Sequence, residues 1–507
     1  MMWAFPPNGN HKVGIDDFLF AHGSSGAIEL AELIDHAEHP RSLSESDSPM
    51  AAAKWLLAEE YSNRDGASLL RWWRDEFWAW RGTHYAKIEK SEFQARILRW
   101  LDDNNLQAKP RFAKDVVECI AALCIVPFQD EQPIILLNAD QRKPDFKAEN
   151  IIAFQNGLLN IIKVGGQMVL HPHTPRWFSG NVLSFDFDPP ANCPSWLEFL
   201  AQTLGDDELI DLLQRFMGLL LTSDTSYQKI LLMVGPPRSG KGTICRVIQC
   251  VIGEHACTSP SLSSLASDFG LWPLCEKTVV ICPDAHLGRN TDTTRVLEMI
   301  KAISGEDRLN INRKYLPAIQ NIRLRTRFVI SVNELPHFND SSGALASRLL
   351  VLPFKRSFEG CENRDLEKLL NGEASGIANW CLGGLLRLRQ QGGFNKPVAS
   401  QEIINSYRHL VSPIFTFLEE ICEVGLGKRV SCSALFKAYC QWSQSNGQRP
   451  VTAHQLGAQL RAACPEVVRR RIRDGAGRPH VYDGIELISP EATIFEHPLP
   501  SPPPGNQ

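Results

Sequence analysis

Residues 229–243 read Lys-Ile-Leu-Leu-Met-Val-Gly-Pro-Pro-Arg-Ser-Gly-Lys-Gly-Thr, and no other stretch narrows the fold as much. Ile230 to Val234 is a short apolar run, the pattern of a buried strand. A Gly/Pro/Ser loop follows, and Thr243-Ile-Cys-Arg-Val-Ile then spaces its apolar residues as a helix does. Strand, glycine-rich loop, lysine and helix N-terminus together make a phosphate cradle. Successive backbone N–H groups and the helix dipole favour anionic phosphates, and the lysine adds a mobile positive charge. The cradle residues are Gly235, Pro236, Pro237, Arg238, Ser239, Gly240, Lys241, Gly242 and Thr243. The strict pattern puts Ser or Thr directly after the lysine, whereas here Gly242 intervenes and Thr243 comes second. A glycine-rich turn without nucleotide chemistry is the plain alternative; the strand before and the helix after argue against it.

The rest of the composition mainly excludes. A chain of 507 residues has room for two to four domains. Its net charge of −4 means that any DNA-binding surface must be local. The fourteen cysteines do not form paired CxxC units, so they read as reduced core thiols rather than zinc ligands or disulfides. No apolar stretch approaches the roughly 18 residues of a membrane span, and no signal peptide opens the chain, so a cytoplasmic location is expected.

Along the chain, residues 1–50 end in a Ser-rich linker and are too few to hold a core of their own. Residues 51–190 mix helix formers, tryptophans and short strand-like runs, an α+β domain. Within it, Leu69 to Tyr85 reads as a helix passing into a hairpin. Its aromatics, interleaved with Arg71, Arg74 and Arg81, suit a buried core better than a stacking surface for single-stranded DNA. Residues 191–411 alternate helices with apolar strands ending at Val234, Asp284, Asn333 and Phe354, an α/β domain with a mainly parallel sheet. Ligands of such sheets sit at the carboxyl ends of the strands, which puts the 235–242 loop, Asp284 and Asn333 on one rim. Residues 412–488 read as helices followed by a hairpin, a small winged helix, and 489–507 form a Pro-rich tail expected to be disordered.

Hydrolysis of a nucleoside triphosphate needs bound phosphates, a held Mg²⁺, a placed water and charge compensation in the transition state. Lys241 and the loop amides supply the first. Thr243 is the nearest hydroxyl for the metal, and Asp284 its carboxylate. Asn333 orients the water or senses the γ-phosphate, and Arg348, in Ala346-Ser-Arg-Leu-Leu, serves as an arginine finger. If that finger acts on a neighbour's nucleotide, the assembly is a ring. The run Arg469, Arg470, Arg471 and Arg473, on the expected wing beside the helix at 453–463, is a candidate contact for duplex DNA phosphates. A solvated strand edge is the plain reading of the same charges.

The order of P-loop, strand-Asp, strand-Asn and arginine resembles the superfamily 3 helicases of the AAA+ class. In detail it is similar to the helicase half of phage and plasmid primase-helicases, relatives of poxvirus primase-helicases. The resemblance is carried by Gly235-Pro-Pro-Arg-Ser-Gly-Lys-Gly-Thr, Cys282-Pro-Asp-Ala-His-Leu and Ile303-Ser-Gly-Glu-Asp. It continues through Ile311-Asn-Arg-Lys-Tyr, Ser331-Val-Asn-Glu-Leu-Pro and Gly343-Ala-Leu-Ala-Ser-Arg. Upstream, Arg64-Asp-Gly, Trp80-Arg-Gly-Thr-His-Tyr and Phe154-Gln-Asn-Gly-Leu-Leu resemble the domain preceding the helicase. The resemblance implies an ATP- and Mg²⁺-dependent DNA helicase, working as a homo-hexameric ring on single-stranded DNA, with a primase domain or chain as a further partner. It also implies a hairpin in the ring channel with Arg313 and Lys314 on the strand's phosphates. Many relatives carry two acids at the second motif; here Ala285 and His286 follow Asp284, and the base is unassigned. Residues 12–23 resemble the end of a toprim-like primase domain whose body would precede them, so primase activity is not carried over and Asp16 and Asp17 read as surface or capping residues. Two rival functions stay open on sequence: a nucleoside monophosphate kinase, which shares Gly-Lys-Gly-Thr, and a DNA-binding initiator or remnant that binds ATP without unwinding.

Overall fold

A computed structural model describes residues 48–488, apart from Asp65, 137–146, 165–166, 284–291, 336–342, Glu362, Ser412, Gln448 and 473–479. Residues 12–23, Asp284, Arg473 and the Pro-rich tail therefore lie outside the described residues. The chain forms two compact units, one of 1–148 with 164–182 and one of 149–163 with 183–507. Residues 149–163 and 183–190, grouped by sequence with the preceding domain, belong to the second unit.

In the first unit, helix α1 (Pro49–Glu60) starts where Ser48 accepts the amide of Ala51 and Pro49 fills a position that needs no donor. The tryptophan-rich stretch is then an antiparallel meander, β1 (Leu70–Trp73), β2 (Glu76–Trp80) and β3 (Tyr85–Ile88), not a helix and a hairpin. The reason is local. Arg74 and Asp75 both take positive φ, 52° and 65°, so a two-residue turn pairs Trp73 with Glu76. Helices α2 (Lys90–Asp103) and α3 (Pro110–Leu123) bury Phe93, Ile97, Val116 and Ile120 against Leu70 and Phe77. Trp73, Trp78, Tyr85 and Phe178 form a second buried cluster, and the Arg74 guanidinium lies 4.2 Å over the Trp73 ring. These aromatics are core, as the sequence favours.

The second unit begins with hairpin β4 (Ile151–Phe154) and β5 (Gly157–Val164), then α4 (Pro194–Thr203) and α5 (Asp207–Leu220). Its centre is a five-stranded sheet built from β6 (Ile230–Val234), β7 (Cys257–Thr258), β8 (Val279–Cys282), β11 (Arg327–Val332) and β12 (Leu349–Pro353). All neighbours are parallel and the order is β7-β8-β11-β6-β12. Strands buried on both faces must be apolar throughout, and Leu-Leu-Met, Val-Val-Ile-Cys and Leu-Leu-Val-Leu supply that. Each buried side chain of this size contributes about 1.5–3 kcal/mol. Between β8 and β11 come α7 (Thr293–Ser304) and an antiparallel hairpin, β9 (Arg308–Arg313) with β10 (Leu316–Arg323).

Around the sheet lie α6 (Lys241–Ile252), α8 (Ala344–Arg348), α9 (Leu366–Gly372), α10 (Ala374–Gln391) and α11 (Val398–Val411). The chain closes with α12 (Pro413–Ile421), β13 (Cys422–Ser431), α13 (Cys432–Ser445), α14 (Ala453–Ala463), β14 (Val468–Arg471) and β15 (His480–Leu487). These strands form an antiparallel sheet of order β13-β15-β14, over a core of Phe417, Leu435, Tyr439, Trp442, Leu460 and Ile485. The helices and the hairpin are those expected; β13 is an addition.

Candidate functional site

Register builds the rim. Val234, the last residue of β6, lies opposite Val332 of β11 and Pro353 of β12. The residues that follow, Gly235, Asn333 and Phe354, therefore emerge together at the carboxyl edge. Two backbone bonds fix them: Gly235 N to Val332 O at 3.3 Å and Phe354 N to Val234 O at 2.7 Å. Gly235 has φ +154°, and a Cβ there would sit 2.2 Å from the Phe354 carbonyl. At Gly240, φ +94°, a Cβ would press on Thr203 and Phe199 at 2.9 and 3.0 Å. Both glycines are thus required by close approach as well as by backbone conformation.

Lys241 opens α6 and is only 6% exposed. Its ammonium donates to Gly235 O (2.6 Å), Pro236 O (2.7 Å), Ser239 Oγ (3.2 Å) and Asn333 Oδ1 (3.3 Å). A buried charge needs such acceptors, and two of the residues expected at the site, Lys241 and Asn333, meet directly. Ser239 is buried, while Pro237, Arg238 and Gly242 are exposed. Thr243 is half-buried and its Oγ1 accepts from Arg246 Nη2 at 3.3 Å, with Arg246 Nε paired to Glu367 at 2.9 Å. A Cβ at Gly242 would meet nothing nearer than Arg246 Nη1 at 3.5 Å, so sterics do not require glycine there. Among the described residues, no group of three His, Cys, Asp or Glu side chains is placed to hold a metal ion.

A strap that the sequence does not announce crosses the cradle after β12. Phe358 N donates to Arg238 O (2.9 Å) and Ser357 Oγ to Pro237 O (2.9 Å), bringing the exposed Lys355 and Arg356 beside the loop. Its residues carry no motif; only the pairing of β12 with β6 reveals them.

Arg348, at the end of α8, makes its hydrogen bonds to α7: Nη1 donates to Lys301 O and to Ser304 Oγ. Lys229 lies nearby, its ammonium on Ser347 O at 2.6 Å. Burial, then the charges of Lys396 and Arg348, hold the Lys229 pKa below the usual lysine value.

The hairpin separates Arg313 from Lys314. Arg313 is 6% exposed, donates through Nε to Pro317 O (2.9 Å) and lies 5.7 Å from the Trp272 ring. Its side chain braces the hairpin and does not face solvent, a correction to its expected place on a DNA phosphate. Lys314 is exposed, beside Tyr315, which is 92% exposed at the tip.

On β14, Arg469, Arg470 and Arg471 are all exposed. Because side chains alternate along a strand, Arg469 and Arg471 share one face and Arg470 takes the other. Arg470 pairs with Asp483 at 3.4 Å, a carboxylate also held by Arg429 at 2.5 Å. Arg469 and Arg461 of α14 both act on Tyr482: burial pushes the Tyr482 pKa up, and those two charges pull against it.

Residues 57–205 match a family described as D5 N terminal like, and residues 233–348, from β6 to Arg348, match a family of unknown function, DUF5906. The chain is also similar to solved structures of the C-terminal region of NrS-1. One, the A form, has 11% identity and a TM-score of 0.47, covering 86% of this chain and 100% of that one. Another, spanning 305–718, has 12% identity and a TM-score of 0.46, covering 87% and 100%. Among the described residues no helix is long and apolar enough to cross a membrane.

Proposed function

We propose that this chain is an ATP-dependent DNA helicase motor of the superfamily 3, AAA+ type, serving replication of a phage, plasmid or integrated element in the cytoplasm. The observation that carries the reading is the Lys241 ammonium, held by loop carbonyls and by Asn333 at the carboxyl rim of a parallel sheet. The D5 N terminal like match agrees with the resemblance drawn from sequence.

The residues present suit ATP. Gly235 and Gly240 let the loop pack closely on Phe354, Thr203 and Phe199, the α6 N-terminus points its amides at the loop, and Lys241 exchanges carbonyl acceptors for phosphate oxygens. Thr243 and Asp284 are the residues that would hold Mg²⁺, which would supply charge neutralisation when bound. Asn333, already tied to the lysine, orients the attacking water. Arg348 compensates charge on a neighbouring subunit's nucleotide, which makes the working form a homo-hexameric ring. Lys314 and Tyr315 at the hairpin tip grip single-stranded DNA, by charge and by stacking on a base. The 412–488 region is read as a winged helix, with Arg469, Arg471 and Arg473 towards duplex phosphates. A primase domain or chain completes the partners.

The test is ATP turnover with and without single-stranded DNA, and unwinding of duplexes carrying a 3′ or a 5′ tail. DNA-stimulated turnover and tail-dependent unwinding are expected. Turnover indifferent to DNA, or phosphoryl transfer to a nucleoside monophosphate, would overturn the proposal.

A further inference from the structure

The arginine read as a finger and the hairpin read as a DNA contact meet in the last turn of α7. That helix ends at Ser304, is capped by Gly305, and leads into β9 at Arg308. Arg348 Nη1 donates to the Lys301 carbonyl, which also accepts the Gly305 amide at 2.8 Å, at a helix end where the dipole favours a cation. It also donates to Ser304 Oγ at 2.9 Å, and that hydroxyl donates to Ile300 O at 2.7 Å. The guanidinium lies over Gly305. A Cβ there would come 3.1 Å from both Nη1 and Nη2, and 2.8 Å from Lys301 O. Gly305 has an ordinary φ of −84°, so glycine is kept there by space, which the Lys301 carbonyl and Arg348 both take up.

The next residue roots the hairpin. Glu306 accepts from Thr225 Oγ1 and pairs with Arg323, the last residue of β10, at 3.2 Å. Gln228 Nε2 donates to Gly305 O at 3.2 Å. Arginine, helix end and hairpin root are therefore one bonded piece. Among the described residues, Arg348 donates through Nη1 alone; Nε and Nη2 form an edge able to take a phosphate while Nη1 stays anchored.

We propose that Ser304 and Gly305 are positioning residues that join Arg348 to the β9–β10 hairpin, so that nucleotide taken by the arginine's remaining donors, Nε and Nη2, moves the hairpin. Coupling of this kind is reciprocal: a DNA strand on the tip biases the arginine in return. The inference rests on the motor reading above, and the experiment separates the two.

Full-length Ser304→Ala, Gly305→Ala, Ser304→Thr and Arg348→Ala are compared with the parent for ATP turnover with and without oligo(dT), for oligo(dT) affinity and for thermal melting. Ser304→Ala removes one hydroxyl and keeps the fold. Ser304→Ala and Gly305→Ala should lose about fivefold or more of the stimulation by DNA, the scale of typical coupling, with KM for ATP and DNA affinity within about twofold. Ser304→Thr, which restores the hydroxyl, should recover the stimulation. A purely structural role would move melting and all parameters together. Stimulation within about twofold of the parent in folded Ser304→Ala and Gly305→Ala, with Arg348→Ala inactive, overturns the link and leaves the motor standing. A parent indifferent to oligo(dT), or an active Arg348→Ala, overturns the motor reading and the link with it.

Discussion

The cradle and the arginine strand use the same kind of charge in opposite ways. Lys241 is buried, and the pairing of β6 with β11 and β12 fixes where two of its acceptors, Gly235 O and Asn333 Oδ1, stand. Arg469 and Arg471 stand on an exposed strand of the C-terminal sheet. A preorganised, desolvated cation acts strongly and at one point. Exposed cations are screened by salt, act additively and tolerate replacement. The difference teaches where this chain should be brittle and where it should be forgiving.

The largest effect should follow Lys241→Ala. Loss of the ammonium removes charge compensation at the phosphates, and turnover should fall by about 100-fold or more, as when one preorganised transition-state donor is deleted. The carbonyls it leaves lie at the rim, where water can reach them, so the fold should persist by circular dichroism. A Lys241→Ala protein turning over within a few-fold of the parent would erase the contrast, because the cradle would then be as forgiving as the strand.

How much of this was legible in the sequence follows the same divide. Strands buried on both faces betray themselves as continuous apolar runs, so β6, β8, β11 and β12 could be read, and the glycines of the loop mark its conformation. β13 could not. Its Val424-Gly-Leu-Gly-Lys stretch breaks the alternation of a strand, and a register shift between Val424 and Arg429 lets Leu426 stand wholly exposed. Only pairing with β15 makes it a strand. The Trp73–Glu76 turn was hidden because neither Arg74 nor Asp75 announces positive φ as glycine does. Arg313 and Lys314 look equivalent in sequence, but Arg313 ends β9 while Lys314 stands in the turn, and Trp272, far back in the chain, lies against the arginine. The strap at 354–358 and the anchoring of Arg348 by Ser304 depend wholly on tertiary structure.

The next effect sharpens the comparison within β14 itself. Arg469→Ala with Arg471→Ala should weaken duplex binding by the full chain and lower the salt slope by about 0.9 for each DNA phosphate no longer neutralised. Arg470→Ala, whose partner is Asp483, should leave the slope unchanged, since Asp483 keeps Arg429. DNA-free ATP turnover should be untouched in all three. Titrations of mixed-sequence duplex across a salt series decide it. Equal losses from Arg470→Ala would mean that the strand acts as an undivided charged edge.

The smallest effect expected is at Gly242, and it probes whether the cradle is brittle throughout. The position after the lysine is exposed, and a Cβ there meets nothing nearer than 3.5 Å, so Gly242→Ser fits without displacing a neighbour. Replacing a helical glycine with serine also recovers about half a kcal/mol of helix propensity. The new hydroxyl would stand where the strict P-loop pattern places its Mg²⁺ ligand. If Thr243 serves the metal from its offset position, the added ligand is redundant, and turnover and Mg²⁺ dependence should change by no more than about threefold, half a log unit or less in a step worth 1.4 kcal/mol per tenfold. Thr243→Val made alongside should then lower turnover in the parent and be rescued in the Gly242→Ser background, because one hydroxyl replaces the other. If Thr243→Val has no effect in either background, Thr243 Oγ1 belongs to its bond with Arg246, and the metal relies on the carboxylate and the phosphates alone.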